Sequence, residues 1–299
     1  MTAPTIQAGN TKGASSSNET STTVTVPSTA PSGDIVVVPI GSDASGDTFA
    51  ITGFTELYAD ESYQSVASAG VFYKTSGGSE SNYTVTTTVS ERKVWQAFSV
   101  HGASGINVSP ASNNGSGGTA TFPAMTTTVD NCLGIRIVLT DQNATATTPF
   151  GAMTGWTKLD EHFGTSAGGC GVYYKTLTTA GTEASGTATL NVSEQWWTVS
   201  FAFAPASTSI TPSGIATGEA FGTAKIVQTI APSGLATGAA FGAVLLKNTI
   251  APSGLASGGA LGTPSLSTGS VTIAPSGLAT GAAIGSQAVQ RGSVTISPS

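Results

Sequence analysis

The most regular alternation of polar and apolar residues lies in segment 197–203, Trp-Thr-Val-Ser-Phe-Ala-Phe, where every second residue is large and apolar. Successive side chains of a strand point to opposite faces, so this segment predicts a strand with one buried face. Segments 83–89 and 187–192 also alternate, and segments 35–38 and 135–139 are rich in β-branched residues. Gly, Ser, Asn and Pro clusters separate these runs, and apolar residues do not recur at helical spacing over three turns. The pattern predicts an all-β fold.

Two long segments occur twice in the first two thirds of the chain. Segment 51–57 reappears as 153–159, and segment 70–75 reappears as 171–176, at offsets of 102 and 101 residues. Shorter matches keep the same order, namely 24–27 with 120–123 and 94–100 with 196–203. The duplication predicts two tandem β-sandwich, jelly-roll-like units packed as a pseudo-twofold pair. The expected boundaries are an N-terminal arm of residues 1–16, a first unit of residues 17–105 and a second unit of residues 106–205.

A short repeat fills residues 206–299. Four units contain Pro-Ser-Gly-Ile/Leu-Ala-Thr/Ser-Gly, with their prolines 20 or 23 residues apart, and a partial fifth unit starts at Ile296. Each unit has few large apolar residues, and about 1.5–3 kcal/mol per buried side chain does not offset about 1–2 kcal/mol of ordering entropy per residue. The units are therefore expected to stack in series or to meet around a symmetry axis. Glycines favour strand-turn-strand units, with a helical turn at 236–241 as the alternative. The residues expected to pack the array are Ile210, Phe221, Ile230, Phe241, Ile250, Leu261, Ile273 and Ile284.

Charged residues are rare, which narrows the choice of partners. They make up 9% of the chain, against about 25% in ordinary soluble domains, and the net charge is −6. The absence of a basic patch disfavours nucleic-acid binding. No uncharged apolar segment reaches the ~20 residues of a membrane span, and the N-terminus lacks the pattern of a secretory signal.

Residues suited to catalysis or metal binding are scarce and scattered. His101 and His162 have no partner at metal-ligand spacing and are expected in exposed loops. Cys132 and Cys170 are expected to be buried free thiols, with a single bridge as the alternative. Neither a nucleophile elbow nor a phosphate-binding loop occurs. We expect a protein without enzymatic activity, bound metal or cofactor.

Two kinds of residue are candidates for binding. Carboxylate pairs at 60–61 and 160–161 follow equivalent strands and predict a loop feature, either a solvated turn or a calcium or sugar site. Aromatic side chains can bind sugars by stacking, and the candidates for contact with a glycan or partner protein are Tyr58, Tyr63, Phe163 and Trp196. Trp196 points away from the core-facing Trp197, so it is exposed or packs against the neighbouring unit.

The repeat resembles a known kind of protein. The unit at 210–222, Ile-Thr-Pro-Ser-Gly-Ile-Ala-Thr-Gly-Glu-Ala-Phe-Gly, is similar to short repeats in structural proteins of tailed bacteriophages, found in tail, fibre and head-appendage components. Segments 33–38, 53–57 and 71–74 resemble β-sandwich modules of the same kind of protein. The later repeats depart from the pattern, because Ala239, Gly259 and Ala282 replace Glu219.

The resemblance implies a non-enzymatic virion component, either a capsid decoration or a tail or head fibre. Such a protein is made in the bacterial cytoplasm without a signal peptide, contacts other capsid or tail proteins and forms a homo-oligomer, for which we expect a trimer. The alternative is an adhesin that recognises a glycan on the host surface, and a glycosidase is the least favoured hypothesis.

Overall fold

A computed structural model describes residues 2–141 and 150–206, except the side chains of Glu61, Asn191 and Val192. It also describes the backbone of short strands between residues 220 and 296. The chain divides into two compact units, residues 2–206 and residues 207–299. No helix occurs in any of these described segments, which confirms the predicted all-β fold.

The unit of residues 2–206 consists of two halves, residues 2–102 and residues 103–206. The strands of the first half are β1 (Thr5–Ile6), β2 (Thr11–Ala14), β3 (Glu19–Thr25), β4 (Ile35–Ser42), β5 (Phe49–Ile51), β6 (Thr55–Tyr63), β7 (Ala67–Thr75), β8 (Asn82–Glu91) and β9 (Lys93–His101). Those of the second half are β10 (Ala103–Phe122), β11 (Met125–Thr127), β12 (Cys132–Thr140), β13 (Thr157–Gly164), β14 (Gly168–Leu177), β15 (Gly181–Glu183) and β16 (Gly186–Pro205).

Each half contains one large antiparallel sheet, and the two sheets have corresponding strand orders. The first large sheet has the order β1-β9-β4-β7-β6, with β2 also paired to β9. The second large sheet has the order β10-β16-β12-β14-β13. Strands β4, β7 and β6 therefore correspond to β12, β14 and β13, as the duplicated segments lead one to expect. The residues of the expected N-terminal arm are part of this arrangement, because β1 and β2 form an edge of the first large sheet.

A central core lies between the two large sheets and contains residues of both halves. From β4 it includes Ile35 and Val37, and from β12 it includes Ile135 and Ile137. The closing strand β16 contributes every second residue of its alternating segment, namely Trp197, Val199, Phe201 and Phe203. The two halves therefore share one core and fold as one body.

The other face of each large sheet is covered by a smaller set of strands. In the first half, β3, β8 and β5 form a three-stranded sheet, and Val24 and Val85 pack with Val36 in the first outer core. In the second half, the far ends of β10 and β16 pair with each other, and their residues pack with Val138 in the second outer core. Every residue of β4 and of β12 is buried. This explains why segment 35–38 is continuously apolar and why segment 135–139 is apolar on both faces except at the buried Arg136.

Polar contacts join the halves at the rims of the central core. At one rim, Lys12 of β2 forms an ion pair with Asp160 of β13 (Nζ–Oδ1 2.6 Å). At the other, Ser112 of β10 donates a hydrogen bond to the hydroxyl of Tyr58 in β6 (2.9 Å). Because β2 and β10 hold equivalent places beside β9 and β16, the two rims are related by the duplication. Between them, Gln96 donates from its buried amide to the carbonyl of Cys170 (2.6 Å).

Two aspartates follow the middle strands of the large sheets at equivalent positions. The amide of Asp43 donates to the carbonyl of Arg92 (3.4 Å), and the amide of Asp141 donates to the carbonyl of Gln195 (3.1 Å). Burial and the negative charges of Asp141 and Glu91 raise the pKa of Asp43 from its usual 3.8 to about 6. The packing of the two sheets thus brings like charges together, which favours a bound proton.

We predict that Asp43→Asn stabilises the protein at neutral pH. The folded state holds the Asp43 proton more tightly than the unfolded chain, so this contribution to stability is complete below pH 3.8 and is lost as the pH rises through about 6. The melting temperature of the variant should equal that of the wild type near pH ~4 and exceed it near pH ~7, by about 2–4 °C per kcal/mol. The exposed Glu56, changed to Gln, is the matched control. Equal shifts in both variants at every pH would contradict the prediction.

The repeats form parallel sheets in which equivalent residues pair with each other. The strands are β17 (Ala220–Phe221), β18 (Ala224–Ile226), β19 (Thr229–Ile230), β20 (Ser233–Leu235), β21 (Ala240–Phe241), β22 (Val244–Leu246), β23 (Thr249–Ile250), β24 (Ser253–Leu255), β25 (Ala260–Leu261), β26 (Ser265–Leu266), β27 (Val271–Ile273), β28 (Ala283–Ile284), β29 (Ala288–Val289) and β30 (Val294–Ile296). Three four-stranded sheets have the orders β17-β21-β25-β28, β18-β22-β26-β29 and β19-β23-β27-β30, and β20 pairs with β24. Each repeat therefore adds one strand to several sheets, as in a β-solenoid.

The residues expected to pack the array align in two columns. Phe221 pairs with Phe241, and the column continues through Leu261 and Ile284. Ile230, Ile250, Ile273 and Ile296 form the second column. The strand at Phe241 agrees with strand-turn-strand units and not with a helical turn there. Ile210 lies outside the described residues, and the packing of the side chains of the other members stays a prediction.

The change of period from 20 to 23 residues is absorbed between two strands. Leu246 and Ile250, four positions apart, pair with Leu266 and Ile273, which are seven positions apart. The three additional residues thus lie between β26 and β27, and the pairing on both sides is kept. Within the described strands, the repeats of one chain stack on each other in series.

We predict that removing residues 292–299 loosens the last repeat, because β30 pairs with β27 through three residues, including Ile296 with Ile273. Limited proteolysis should cut the repeats faster, while the melting transition of residues 2–206 stays unchanged. Removing only residues 297–299 keeps β30 and should have no effect. Equal protease resistance of both truncated chains and the full chain would contradict this role for β30.

Candidate functional site: two equivalent ion pairs beside aromatic rings

The same ion pair occurs once in each half, between a lysine near the end of β7 or β14 and a glutamate that follows that strand. Lys74 of β7 pairs with Glu80 (Nζ–Oε2 2.9 Å), and Lys175 of β14 pairs with Glu183 (Nζ–Oε1 2.8 Å). The two lysines are equivalent, because Lys74 pairs with Val36 across the first sheet and Lys175 pairs with Gly134 across the second. Each half therefore has a lysine–glutamate ion pair at the same place.

In the first half, donors surround the carboxylate of Glu80. Lys74 binds one oxygen, the hydroxyl of Tyr83 donates to the same oxygen (2.5 Å), and the amide of Gly77 donates to the other (2.9 Å). Burial alone would raise the pKa of Glu80, but hydrogen bonds from Tyr83, Lys74 and Gly77 outweigh it and lower this pKa to about 2. The Lys74 ammonium also lies 4.8 Å from the centre of the Tyr83 ring. The site is a closed polar network that holds the chain segment after β7.

In the second half, the carboxylate of Glu183 has fewer donors. Its Oε1 accepts from Lys175 and from the indole nitrogen of Trp156 (3.3 Å). For Oε2 the described residues supply no hydrogen-bond donor. A cavity of about 180 Å³ adjoins this ion pair and is lined by both of its residues. The second ion pair is therefore more open than the first.

A buried arginine lies beneath the second ion pair. Arg136 is 1% exposed, and its guanidinium lies 4.3 Å from the centre of the Trp156 ring and 5.8 Å from that of Phe122. One terminal nitrogen donates to the carbonyls of Ala184 and Pro123. Burial lowers the pKa of Arg136 to about 10, although the negative charge of Glu183 opposes the shift. The arginine therefore joins the chain segments before β11 and after β15 across the second outer core.

The two halves fill equivalent space with different residues. By strand register, Arg136 corresponds to Val38 of the first half, and Trp156 corresponds to Phe54. The position of Tyr83, paired with Val24, corresponds to Ala188, paired with Ala120. In the first half the ring of Tyr83 packs edge-on against Phe54 at 5.0 Å. The first half thus has a valine and a tyrosine where the second half has an arginine and an alanine.

The four aromatic residues proposed for glycan or partner contact are not exposed. Tyr63 is 1% exposed in the central core, and Trp196 is 6% exposed in the second outer core. Tyr58 is half-buried and stacks on Trp197 at 6.0 Å, while Phe163 is half-buried and lies 5.0 Å from Phe150. The expected exposure is wrong because both faces of each large sheet are covered, and Trp196, expected to be exposed or to pack against the neighbouring unit, packs in the outer core of its own half. The alternation rule did place Trp196 opposite Trp197.

The carboxylate pairs lie in strands β6 and β13, so their expected place in loops is wrong. Asp60 pairs with Ala69, whereas Asp160 pairs with Val172, so the two aspartates hold different places in the register. Asp160 accepts hydrogen bonds from Lys12 and Asn10 of the first half, which lower its pKa although burial acts in the opposite direction. Asp160 therefore joins the two halves. No group of three or more His, Cys, Asp or Glu side chains suited to a metal ion occurs in segments 2–141 and 150–206.

The histidines and cysteines have structural surroundings. His101 ends β9, and its Nδ1 lies 2.7 Å from Oδ1 of the buried Asp34. His162 lies within β13 and not in a loop, and burial together with the Lys12 charge lowers its pKa. Cys132 and Cys170 are both buried free thiols, as predicted. Burial raises the pKa of each thiol, which disfavours the reactive thiolate.

One sequence feature could have indicated the ion pairs, namely the recurrence of their lysines in the duplication. Lys74 and Lys175 both lie inside the duplicated segments 70–75 and 171–176. Their acidic partners follow at different distances, six and eight residues later, so no fixed spacing marks the pairs. Only the pairing of the strands shows that they are equivalent.

Comparison with known proteins gives no family. No protein-family model and no curated protein matches the chain. A crystal structure of a conserved protein of unknown function from Pseudomonas aeruginosa PAO1 is similar over 66% of this chain and 83% of that chain, with 10% identity and a TM-score of 0.25. A likeness of that size supports no argument about fold or function. Within the described residues, no helix is long and apolar enough to cross a membrane.

We predict that Arg136 and Ala188 of the second half can be replaced together by valine and tyrosine, the residues at the equivalent positions of the first half. Arg136→Val should cost about 3 kcal/mol, because it leaves a void and removes the donor to Ala184 and Pro123. Ala188→Tyr alone should cost about 1–3 kcal/mol by overpacking. The double variant should be at least about 1 kcal/mol more stable than the sum of the two changes, because the tyrosine fills the space of the arginine.

Urea denaturation of the four proteins measures this coupling free energy. The same two changes made at distant sites give the control, for which we choose Arg92→Val and Ala59→Tyr. Strictly additive costs of Arg136→Val and Ala188→Tyr, within about 0.5 kcal/mol, would show that the two side chains do not share space.

Proposed function

We propose that this protein is a non-enzymatic structural component of a tailed-bacteriophage virion, a capsid decoration or a fibre, which acts through protein–protein assembly. The observation that carries the proposal is the in-register stacking of the repeats. A unit that pairs with its own copy in the next repeat is suited to building an extended structure by addition. The repeat is also the part of the sequence that resembles phage structural proteins most strongly.

The polar groups of residues 2–206 also suit a structural role. Asp160 joins the halves through Lys12, and Glu80 holds the segment after β7. Arg136 joins two chain segments through their backbone carbonyls. Charges used in this way stabilise one arrangement of the chain and supply rigidity, which a particle component requires.

The partners that follow from this proposal are other capsid or tail proteins and further copies of the chain. We retain the trimer as the proposed homo-oligomer and the virion as the location. The adhesin alternative needs a site other than Tyr58, Tyr63, Phe163 and Trp196, because these side chains pack inside residues 2–206. The glycosidase hypothesis gains no support from Asp160, whose carboxylate is held by Lys12 and Asn10.

We expect the chain to co-purify with phage particles. Particles released by lysis of the bacterium that carries the gene should contain the chain at a fixed ratio to the major capsid protein, as measured by quantitative mass spectrometry after density-gradient purification. A cytoplasmic protein of the same bacterium is the control for carry-over. Recovery of the chain only in the soluble fraction would contradict a virion role.

Light scattering of the purified chain tests the oligomer. A trimer has three times the 29.5 kDa mass of one chain. If the repeats carry the assembly, residues 2–206 alone should be monomeric, since they contain their own central and outer cores. A monomeric full chain would contradict the trimer and leave the stacked repeats as a single-chain structure.

A further inference from the structure

The cavity beside the second ion pair contains an unusual set of polar groups. It has a volume of about 180 Å³ and lies between the end of β14 and strand β15. Its polar lining consists of Lys175, Glu183 and the threonines at 176, 178, 179 and 182. The threonines are exposed, and the two charged residues are half-buried. The groups therefore line a site that is open to a ligand from solution.

The lining of the cavity has hydrogen-bond donors and acceptors and no net charge. The Lys175 ammonium has three N–H groups, of which one is directed to Glu183. Oε2 of Glu183 and the hydroxyls of Thr176, Thr178 and Thr179 have no hydrogen-bond partner among the described residues, whereas Thr182 is bonded to Thr126 (3.0 Å). The charges of Lys175 and Glu183 cancel. A ligand that matches this lining must both donate and accept hydrogen bonds and carry no net charge.

The first half shows what a closed version of the same site looks like. There, Glu80 accepts hydrogen bonds on both oxygens, and Tyr83 supplies a hydroxyl to the carboxylate at 2.5 Å. In the second half, Ala188 stands in the place of Tyr83, and no hydroxyl of the described residues donates to Glu183. A ligand hydroxyl beside Glu183 would supply the contact that Tyr83 supplies in the first half.

We infer that this cavity binds a neutral, hydroxyl-rich ligand, a single sugar residue or a small polyol. Vicinal hydroxyls can donate to Glu183 and accept from Lys175 at the same time. An anion would meet the Glu183 carboxylate, and a cation would compete with the Lys175 ammonium 2.8 Å from the same carboxylate. The volume is below the about 300–1,000 Å³ of sites for drug-sized ligands, so one ring is the largest group it holds.

This inference goes beyond the structural role proposed above and does not depend on it, because no step involves the repeats. It also places sugar recognition at residues other than the four aromatic side chains. The contact set is small and lacks an exposed ring, so binding to one sugar is expected to be weak, with a Kd of about 1 mM. Several copies on one particle would raise the effective affinity.

Saturation-transfer NMR with a panel of methyl glycosides and sugar alcohols tests the inference on the full chain. The wild type should bind at least one member of the panel. Glu183→Gln should weaken that binding about tenfold, equivalent to about 1.4 kcal/mol, by removing the charged acceptor. Thr179→Trp, a change at an exposed position, should abolish binding by filling the cavity. Glu80→Gln, the equivalent change in the first half, should leave binding unchanged.

Either of two results would overturn the inference. If no glycoside or polyol binds to the wild type, the cavity is not a site for this class of ligand. If the wild type binds and Thr179→Trp retains full binding, the ligand lies elsewhere on the chain. Melting curves confirm that each variant is folded, and the exposed Thr179 keeps the test valid if Glu183→Gln fails to fold. Co-purification with particles is measured separately, so either proposal can fail alone.

Discussion

The packing of the two large sheets against each other is the contact on which the rest of residues 2–206 depends. It buries Ile35, Val37, Ile135 and Ile137 in one central core built from both halves. Once this face is covered, each sheet must also bury its other face, because most residues on both sides of β4 and β12 are apolar. The outer cores, the edge strands β2 and β10, and the polar contacts at the rims follow from that requirement. Burial of Asp43 and the nearby negative charge of Asp141 together raise the pKa of Asp43.

Because the two halves have corresponding strand orders, equivalent positions of the two halves can be compared. Where the halves agree, as in the lysine at the end of β7 and β14, the shared feature belongs to their common strand arrangement. Where they differ, two neighbouring positions of the outer core differ together, since Arg136 with Ala188 takes the place of Val38 with Tyr83. Without a tyrosine hydroxyl at this place, one carboxylate oxygen of Glu183 has no hydrogen-bond donor among the described residues and lies beside a cavity. A binding site can arise in this way in one copy while the other stays closed.

The repeats are organised differently, because equivalent residues of successive repeats pair with each other. Phe221 pairs with Phe241 and Ile230 with Ile250, so one sequence pattern defines both the strand and its neighbour. The three additional residues between β26 and β27 leave this register intact. A pattern that tolerates a change of spacing without losing its columns suits an array that assembles by stacking.

Alternation and self-similarity are local properties of the chain, so the sequence predicted the main strands, the duplication and the period of the repeats. It also determined that Cys132 and Cys170 are buried. It did not predict which faces are covered. Tyr63, expected to be exposed, is buried in the central core, and Trp196, expected to be exposed or to pack against the neighbouring unit, is buried in the outer core of its own half. Only the tertiary structure paired Lys175 with Glu183, stacked Arg136 on Trp156 and joined Lys12 to Asp160. These contacts join residues whose separations along the chain differ from case to case, and only the strand register and the packing of two sheets bring them together.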